Sequence, residues 1–199
     1  MKFKKNLSFI FTLMILFIFT GSSSIYAAGK GTSGAPFLKI GGGVRAIGMG
    51  GAFGAVADDA TTIYWNPGGL TNISDKEITV AYARWFADIT HAFLVYAQPL
   101  NEKNALGAGL LYLGATDTKR DEWGEEIGSF GITGMAPIIG YAHRFDERIS
   151  IGASVKYIYQ KLEDETAGGF AFDIGGLYET PIENLTLGMS IQNIGMEIK

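Results

Sequence analysis

The amino-acid sequence predicts an all-β protein, an antiparallel transmembrane β-barrel with a glycine-rich plug near its start. Three observations support this prediction. The 28 glycines among 199 residues are about twice the usual share, aromatic residues reach 13%, and cysteine is absent. From residue 75 onward, segments of strand length with alternating apolar and polar side chains follow one another between turn signals. The chain also begins with the residue order of an export signal.

Residues 1–28 are predicted to be a cleaved signal peptide. A lysine-rich start is followed by an apolar run at residues 9–19 and by small and polar residues, with cleavage expected after Ala27 or Ala28. The alternative is a membrane anchor, but the apolar run is shorter than the roughly 20 residues that a spanning helix needs. Without cysteine, the chain has no lipid-modified cysteine, disulfide or thiolate site.

Residues 29–74 are predicted to form the plug. The stretch 31–70 is too rich in glycine for an ordinary helix or strand, yet too apolar for a linker. Glycine adopts backbone conformations closed to other residues and lets a neighbouring backbone approach closely. We therefore expect this stretch to pack tightly inside a cavity, which is the task of a plug in an outer-membrane barrel.

Arg45 is the only cation between residues 40 and 58, in an apolar setting. A buried arginine favours a bidentate carboxylate partner, so we expect Asp58 or Asp59 to hold it and thereby to pin the plug. Contact with a carboxylate of a ligand is the alternative.

A short helix is expected over residues 59–64, with Asp58 as its cap because an acid suits the helix start. The same acidic pair is also compatible with acid–base chemistry or a metal. Asn66 and Pro67 should end this helix, since the residue before proline is pushed out of the helical region. Gly68 and Gly69 would then turn the chain toward the first strand.

Residues 75–199 are predicted to supply about seven strands, several of the length that a tilted strand needs to cross a bilayer, at residues 77–85, 90–100, 106–116, 135–145, 149–161, 169–180 and 185–194. In the fifth strand, Ile149, Ile151 and Tyr157 share one face, while Ser150 and Lys156 share the other. We expect the apolar face to meet lipid and the polar face the lumen. A soluble β-sandwich would show the same alternation, but the export signal, strand length and tyrosine placement favour the membrane.

The connections between these strands alternate in length. Short turns at residues 101–104, 146–148 and 181–184 contrast with longer polar links at 117–134 and 163–168, as in outer-membrane barrels. The first three strands alternate less clearly, so we expect both of their faces to be buried, one of them against the plug. An open seven-stranded sheet would leave unpaired edges in lipid, so we expect this chain to be the first half of a barrel whose C-terminal half is missing.

Other motifs in the chain are weaker. Gly41-x-Gly43-x-x-Ala46 matches a dinucleotide fingerprint but lacks the strand and the helix that such a site needs. His91 and His143 have no catalytic or metal-binding partners nearby in the sequence and are expected to be strand residues. Acidic residues around Trp123 are conceivable calcium ligands, although a solvated loop is the simpler reading.

These residues lead us to expect no catalytic residue, no metal site and no cofactor. The net charge of −4 gives no sign of nucleic-acid binding. We therefore expect that the protein is not an enzyme.

Three segments carry a family resemblance: GTSGAPFLKIG at residues 31–41, RAIGMGGAF at 45–53 and AVADDATTIYWNPGGL at 55–70. They resemble the N-terminal signature of the PorV/PorQ family, which lies within the wider FadL-like group of outer-membrane barrels. One departure is Gly68, where the family usually has alanine after Asn66-Pro67. The resemblance implies a barrel of about fourteen strands in the bacterial outer membrane, in contact with its lipid.

The resemblance also implies two competing functions. One is an accessory role in type IX protein secretion, in which the barrel binds secreted cargo or type IX secretion components through its external loops and lumen. The other is a FadL-like channel for hydrophobic small molecules, in which the plug moves when the ligand binds. The signature favours the first function over the second.

Overall fold

Seven antiparallel strands form one sheet within residues 34–195 and 198, the part of the chain that the computed structural model describes. The strands are β1 (Glu77–Arg84), β2 (Thr90–Asn101), β3 (Asn104–Arg120), β4 (Glu126–Arg144), β5 (Ile149–Leu162), β6 (Glu165–Glu179) and β7 (Thr186–Gly195). Each strand pairs with the next along the chain, so β1 and β7 lie at the edges. The predicted signal peptide, and the start of the plug segment up to residue 33, lie outside the described residues.

Each strand overlaps a predicted one, but two predicted polar links are wrong. β3 continues to Arg120 and β4 begins at Glu126, so the link expected at residues 117–134 is mostly strand. Likewise, β6 begins at Glu165 within the link expected at 163–168. Polar residues sustain these extensions because a solvated hydrogen-bonded hairpin needs no apolar face.

Residues 34–74, here called the inner segment, lie against one face of the sheet. The segment contains two short α-helices, α1 (Val44–Gly48) and α2 (Thr62–Trp65), and two 3-10 helices at Pro36–Ile40 and Pro67–Asn72. A third 3-10 helix, Phe86–Asp88, joins β1 to β2. No helix among the described residues combines the length and apolarity that crossing a membrane would require.

The inner face of the sheet is the face that contacts the inner segment. On β2 to β4 this face is largely apolar. Its side chains, among them Phe93, Val95, Leu111 and Ile138, form one core with Phe37, Ile63 and Leu70 of the inner segment. On β5 and β6 it is partly polar, with Ser150, Ser154, Lys156 and Asp173 all buried. The segment therefore covers an apolar half and a polar half of the same sheet.

The outer face of the sheet carries the exposed apolar side chains. Tyr157 is exposed while its neighbour Lys156 is fully buried, in the register predicted from the sequence. Ile139 on β4 and Met189 on β7 are 62% and 67% exposed. The expectation that both faces of the first strands are buried is wrong for the outer face, because Leu94 is also exposed. This sheet therefore exposes apolar side chains on its outer face and buries charged ones on its inner face, the reverse of a sheet in a soluble protein, and we call it inverted.

Candidate functional site

The inner segment rests on glycines that point inward from the strands. A Cβ atom on Gly134 would lie 2.8 Å from the Phe37 ring, and one on Gly152 would lie closer than 3.0 Å to the backbone of Pro67. Other inward glycines, namely Gly107, Gly140 and Gly175, are crowded in the same way by Ile63 or Asn66. Each position is a close approach, and at Gly152 the crowding atoms belong to backbone, so that only glycine fits there. We call these five positions the glycine seats.

Asn66 ties the inner segment to β6. Its extended backbone (φ −156°) ends α2 before Pro67, as predicted. The buried side chain donates hydrogen bonds to the carbonyls of Gly54 (2.6 Å) and Gly176 (3.1 Å) and accepts one from Gly68 N. The chain then continues as a 3-10 helix through Asn72, so the immediate turn expected at Gly68 is wrong. One amide thus satisfies backbone groups on two elements at once.

Arg45 lies beside both predicted carboxylates. Its guanidinium donates to both oxygens of Asp58, at 3.2 Å for Nη2 to Oδ2, and Nη1 lies 3.2 Å from Asp59 Oδ2. The hydrogen bonds to Asp58 and then Asp59 raise the pKa of Arg45 above its usual value. The side chain is 51% exposed, so the expected burial is wrong. The guanidinium also lies 5.5 Å from the ring centre of Phe53, which is buried.

The cap expected at Asp58 is wrong, because Thr61 precedes α2 and no side chain caps the helix, while Asp59 instead forms a turn with Thr61. Asp59 Oδ1 accepts hydrogen bonds from the backbone N (2.9 Å) and hydroxyl of Thr61, just before α2. Aspartate commonly bonds the backbone two residues on, which Asp59 achieves here. Asp58 is thereby left to Arg45, and the two carboxylates have different structural tasks.

A buried charged cluster on β5 to β7 was not predicted. Lys156 Nζ lies 3.0 Å from Asp173 Oδ1 and donates to Asn193 Oδ1 at 2.7 Å, and both charged side chains are fully buried. Ser154 donates to the other carboxylate oxygen of Asp173 at 2.6 Å. The sequence indicated the polar face of each strand. The pairing, however, needs the register that sets Ser154 opposite Asp173.

Tyr64 joins this cluster to the inner segment. Its ring centre lies 5.0 Å from Lys156 Nζ, and its hydroxyl donates to the carbonyl of Leu38. Burial, and secondarily the charge of Asp173, raise the pKa of Tyr64, which therefore stays a neutral donor. Gln192 of β7 donates to the carbonyls of Tyr64 and Trp65, the latter at 2.9 Å. The last turn of α2 is thus held by polar contacts to two strands.

The remaining sequence candidates lie apart from this arrangement. His91 and His143 are strand residues, as predicted. His91 stacks on Trp85 at 6.0 Å, and its Nε2 lacks a hydrogen-bond partner among the described residues. His143 Nδ1 lies 2.8 Å from Asn104 Oδ1. In the described part of the chain, no group of three or more His, Cys, Asp or Glu side chains is arranged to hold a metal ion. The contacts described above brace the inner segment against the sheet.

A protein-family model described as type IX secretion system protein PorV matches residues 27–199. This match extends the resemblance far beyond the N-terminal signature, across every described strand. Neither the curated proteins nor the solved structures contain a match to the chain.

Proposed function

Because the chain belongs to the PorV family of type IX secretion system proteins, we propose that it serves type IX secretion as an outer-membrane barrel that binds secreted cargo or partner proteins. In this proposal the described strands are part of the barrel wall. The inner segment is the plug, pinned by Arg45 with Asp58 and Asp59 and joined to the wall at Asn66-Pro67. The family membership supports the association with secretion.

The observation that carries the membrane part of the proposal is the inverted sheet. Large apolar side chains cover the outer face, while a lysine, an aspartate and two serines of β5 and β6 are buried on the inner face. In water this arrangement would forfeit the stabilisation from apolar burial, about 25 cal/mol per Å². Against lipid the outer face is solvated by hydrocarbon, as in outer-membrane barrels.

The height of the apolar outer face is also consistent with a bilayer. On β5 and β6 the face runs from the pair Ile149 and Tyr178 to the pair Tyr157 and Phe170. Eight residues at a rise of about 3.4 Å span ~27 Å along the strand, or ~20 Å across a bilayer at a tilt near 40°. Tyrosine and phenylalanine at these limits suit the two membrane interfaces.

The packing of the inner segment favours a binding scaffold over a channel. A FadL-like channel would require the plug to move when a hydrophobic ligand binds. The glycine seats and the hydrogen bonds of Asn66 and Gln192 hold residues 60–73 closely against the strands. Moving these residues would break the hydrogen bonds and leave their polar groups unpaired inside the protein, which costs free energy.

The test uses the full-length protein in its native host. A deletion strain, complemented by the wild-type gene as control, is assayed for release of proteins bearing type IX sorting signals and for uptake of a labelled fatty acid. We expect lost secretion, normal uptake, and wild-type protein in the sarkosyl-insoluble outer membrane. Normal secretion with lost uptake would assign the channel function instead, and recovery in the soluble periplasm would overturn the membrane location.

Cysteine labelling tests the orientation of the outer face. After mild loosening of the plug, a water-soluble maleimide should modify Lys156→Cys, which lies on the inner face, and should spare Tyr157→Cys in the membrane. In detergent-free vesicles a lipid-soluble maleimide should reverse this order. Labelling of position 157 by the water-soluble reagent would place this face in water.

A further inference from the structure

The β3–β4 hairpin extends beyond both neighbouring strands. Pairing of β2 with β3 ends at Gly114, and pairing of β5 with β4 ends at Ile132. Residues 115–131, here called the ribbon, continue as two strands paired with each other, with one further backbone hydrogen bond from Glu163 N to the Gly131 carbonyl (3.1 Å). The ribbon extends roughly 20 Å beyond the last strand pairs of its neighbours, taking six residues at about 3.4 Å each.

The ribbon is held in one shape despite its isolation. Lys119 forms an ion pair with Glu163 in the β5–β6 turn, which tethers the ribbon near its end. Arg120 Nη2 lies 2.6 Å from Glu126 Oε1 on the opposite strand. At the tip, Asp121 Oδ1 accepts hydrogen bonds from the backbone N of Trp123 (3.0 Å) and of Glu125 (2.9 Å).

This ordered tip presents apolar side chains to solvent. Trp123 is 80% exposed and Ile127 is 56% exposed. A ribbon outside the membrane belt has no lipid to explain such exposure. Tryptophan offers a large, rigid contact surface with a polar N–H, and for this reason it is enriched where proteins bind one another.

The charge around the indole has a definite sign. Both cations of the ribbon, Lys119 and Arg120, already have carboxylate partners. Glu122 and Glu125 flank Trp123 and form no ion pair within the described part of the chain, so the tip carries surplus negative charge.

We propose that the tip of the ribbon docks a basic protein surface, on which lysine or arginine side chains surround an apolar pocket that receives the Trp123 indole. This inference rests on the proposed function and specifies its partner surface. In a barrel the ribbon lies at the end with the longer connections, which faces the exterior. Complementary charge fixes orientation and speeds encounter, while the buried aromatic supplies most of the affinity. A membrane surface is disfavoured, because anionic headgroups repel the acidic tip.

The test places a photo-crosslinking amino acid at position 123 of the full-length protein in its native host. The matched control carries it at Glu147, an exposed residue of the β4–β5 turn at the opposite end of the sheet. We expect a crosslink at 123, absent at 147, to a type IX secretion component or a secreted cargo protein. Mass spectrometry should place the crosslink beside lysine or arginine residues. Crosslinks to lipid alone, or none, overturn the inference.

Two variants separate the indole from the charge. Trp123→Ser, and the pair Glu122→Lys with Glu125→Lys, should each lower co-purification of that component about tenfold or more. The matched pair Glu147→Lys with Glu183→Lys should leave it unchanged, and equal amounts in the outer membrane verify folding. Unchanged co-purification in both tip variants overturns the docking surface while the proposed function stands. If the wild-type protein also co-purifies with no secretion component, the result would instead count against the proposed function.

Discussion

Two parts of the inner segment meet the rest of the protein in opposite ways. Residues 60–73 lie on four of the five glycine seats, and Ile63 and Leu70 are fully buried. Residues 44–52 expose apolar side chains, with Val44 74% exposed. Both parts are glycine-rich and apolar in sequence, so composition does not separate them. The difference lies in what surrounds the glycines: Gly68 of the first part and Gly152 beneath it lie where backbones meet closely, whereas Gly48 and Gly50 of the second part have open space around them.

The two parts are also held by different forces. Residues 60–73 depend on close packing and on partly buried hydrogen bonds of Asn66 and Gln192. Residues 44–52 are held mainly by buried Ala46 and by the half-exposed ion pairs of Arg45, and such exposed pairs contribute at most about 1 kcal/mol. Gly50 and Gly51, at φ of 66° and 82°, bend the chain after α1. If any part of the inner segment moves, we expect it to be residues 44–52.

The largest expected effect comes from blocking a seat. Gly152→Val should prevent docking of residues 60–73, because its Cβ would overlap the backbone of Pro67 and neither backbone can yield. We expect a loss of about 3 kcal/mol or more, and rapid trypsin cleavage of the inner segment. The matched control is Gly131→Val on β4, where a Cβ meets nothing within 4 Å. Equal protease resistance of the two variants would contradict the seat.

Breaking the buried ion pair is expected to have an effect of comparable size. Lys156→Met leaves Asp173 buried with its charge uncompensated, which costs about 3–5 kcal/mol. Lys161→Met, at an exposed position of the same strand, serves as the control. Adding Asp173→Asn to Lys156→Met should recover part of the loss, measured as the denaturant midpoint in detergent. A double variant no more stable than Lys156→Met alone would mean that packing, not charge, is responsible.

Release of residues 44–52 is the third prediction. Arg45→Met should cost at most about 1 kcal/mol but open α1 locally. Two buried alanines report this: maleimide labelling of Ala46→Cys should accelerate, whereas Ala60→Cys should stay protected. The control is Arg84→Met at the end of β1, which breaks an exposed ion pair between Arg84 and Asp88. Acceleration at both cysteines would show that the two parts move together, against the comparison drawn here.

The smallest effect is expected for the exposed apolar side chains of residues 44–52. Val44→Ala should change stability by less than about 0.5 kcal/mol, whereas Val95→Ala on the buried inner face of β2 should cost about 2 kcal/mol. Thermal unfolding of both variants in detergent measures the contrast. A cost above about 1 kcal/mol at Val44 would reveal that another surface covers α1 in the assembled protein.

Sequence reasoning succeeded where the signal is local. Alternation with a period of two located the strands and correctly assigned Tyr157 and Lys156 to opposite faces. It failed at residues 117–134 because turn-forming and polar residues look alike in a loop and in a solvated ribbon. It also expected Asp58 to cap α2, but that helix begins after Thr61 without a side-chain cap, and Asp59 bonds the backbone of Thr61 one residue earlier.

By itself the sequence determined the all-β class, the faces of the last three strands, the end of α2 at Asn66-Pro67 and the family, since each depends on neighbouring residues or on a contiguous motif. Only the tertiary structure decided which glycines seat the inner segment and that Lys156 meets Asp173. These contacts join residues far apart in the chain. They form only in one strand register, which places a glycine at each seat and pairs the buried charges of Lys156 and Asp173.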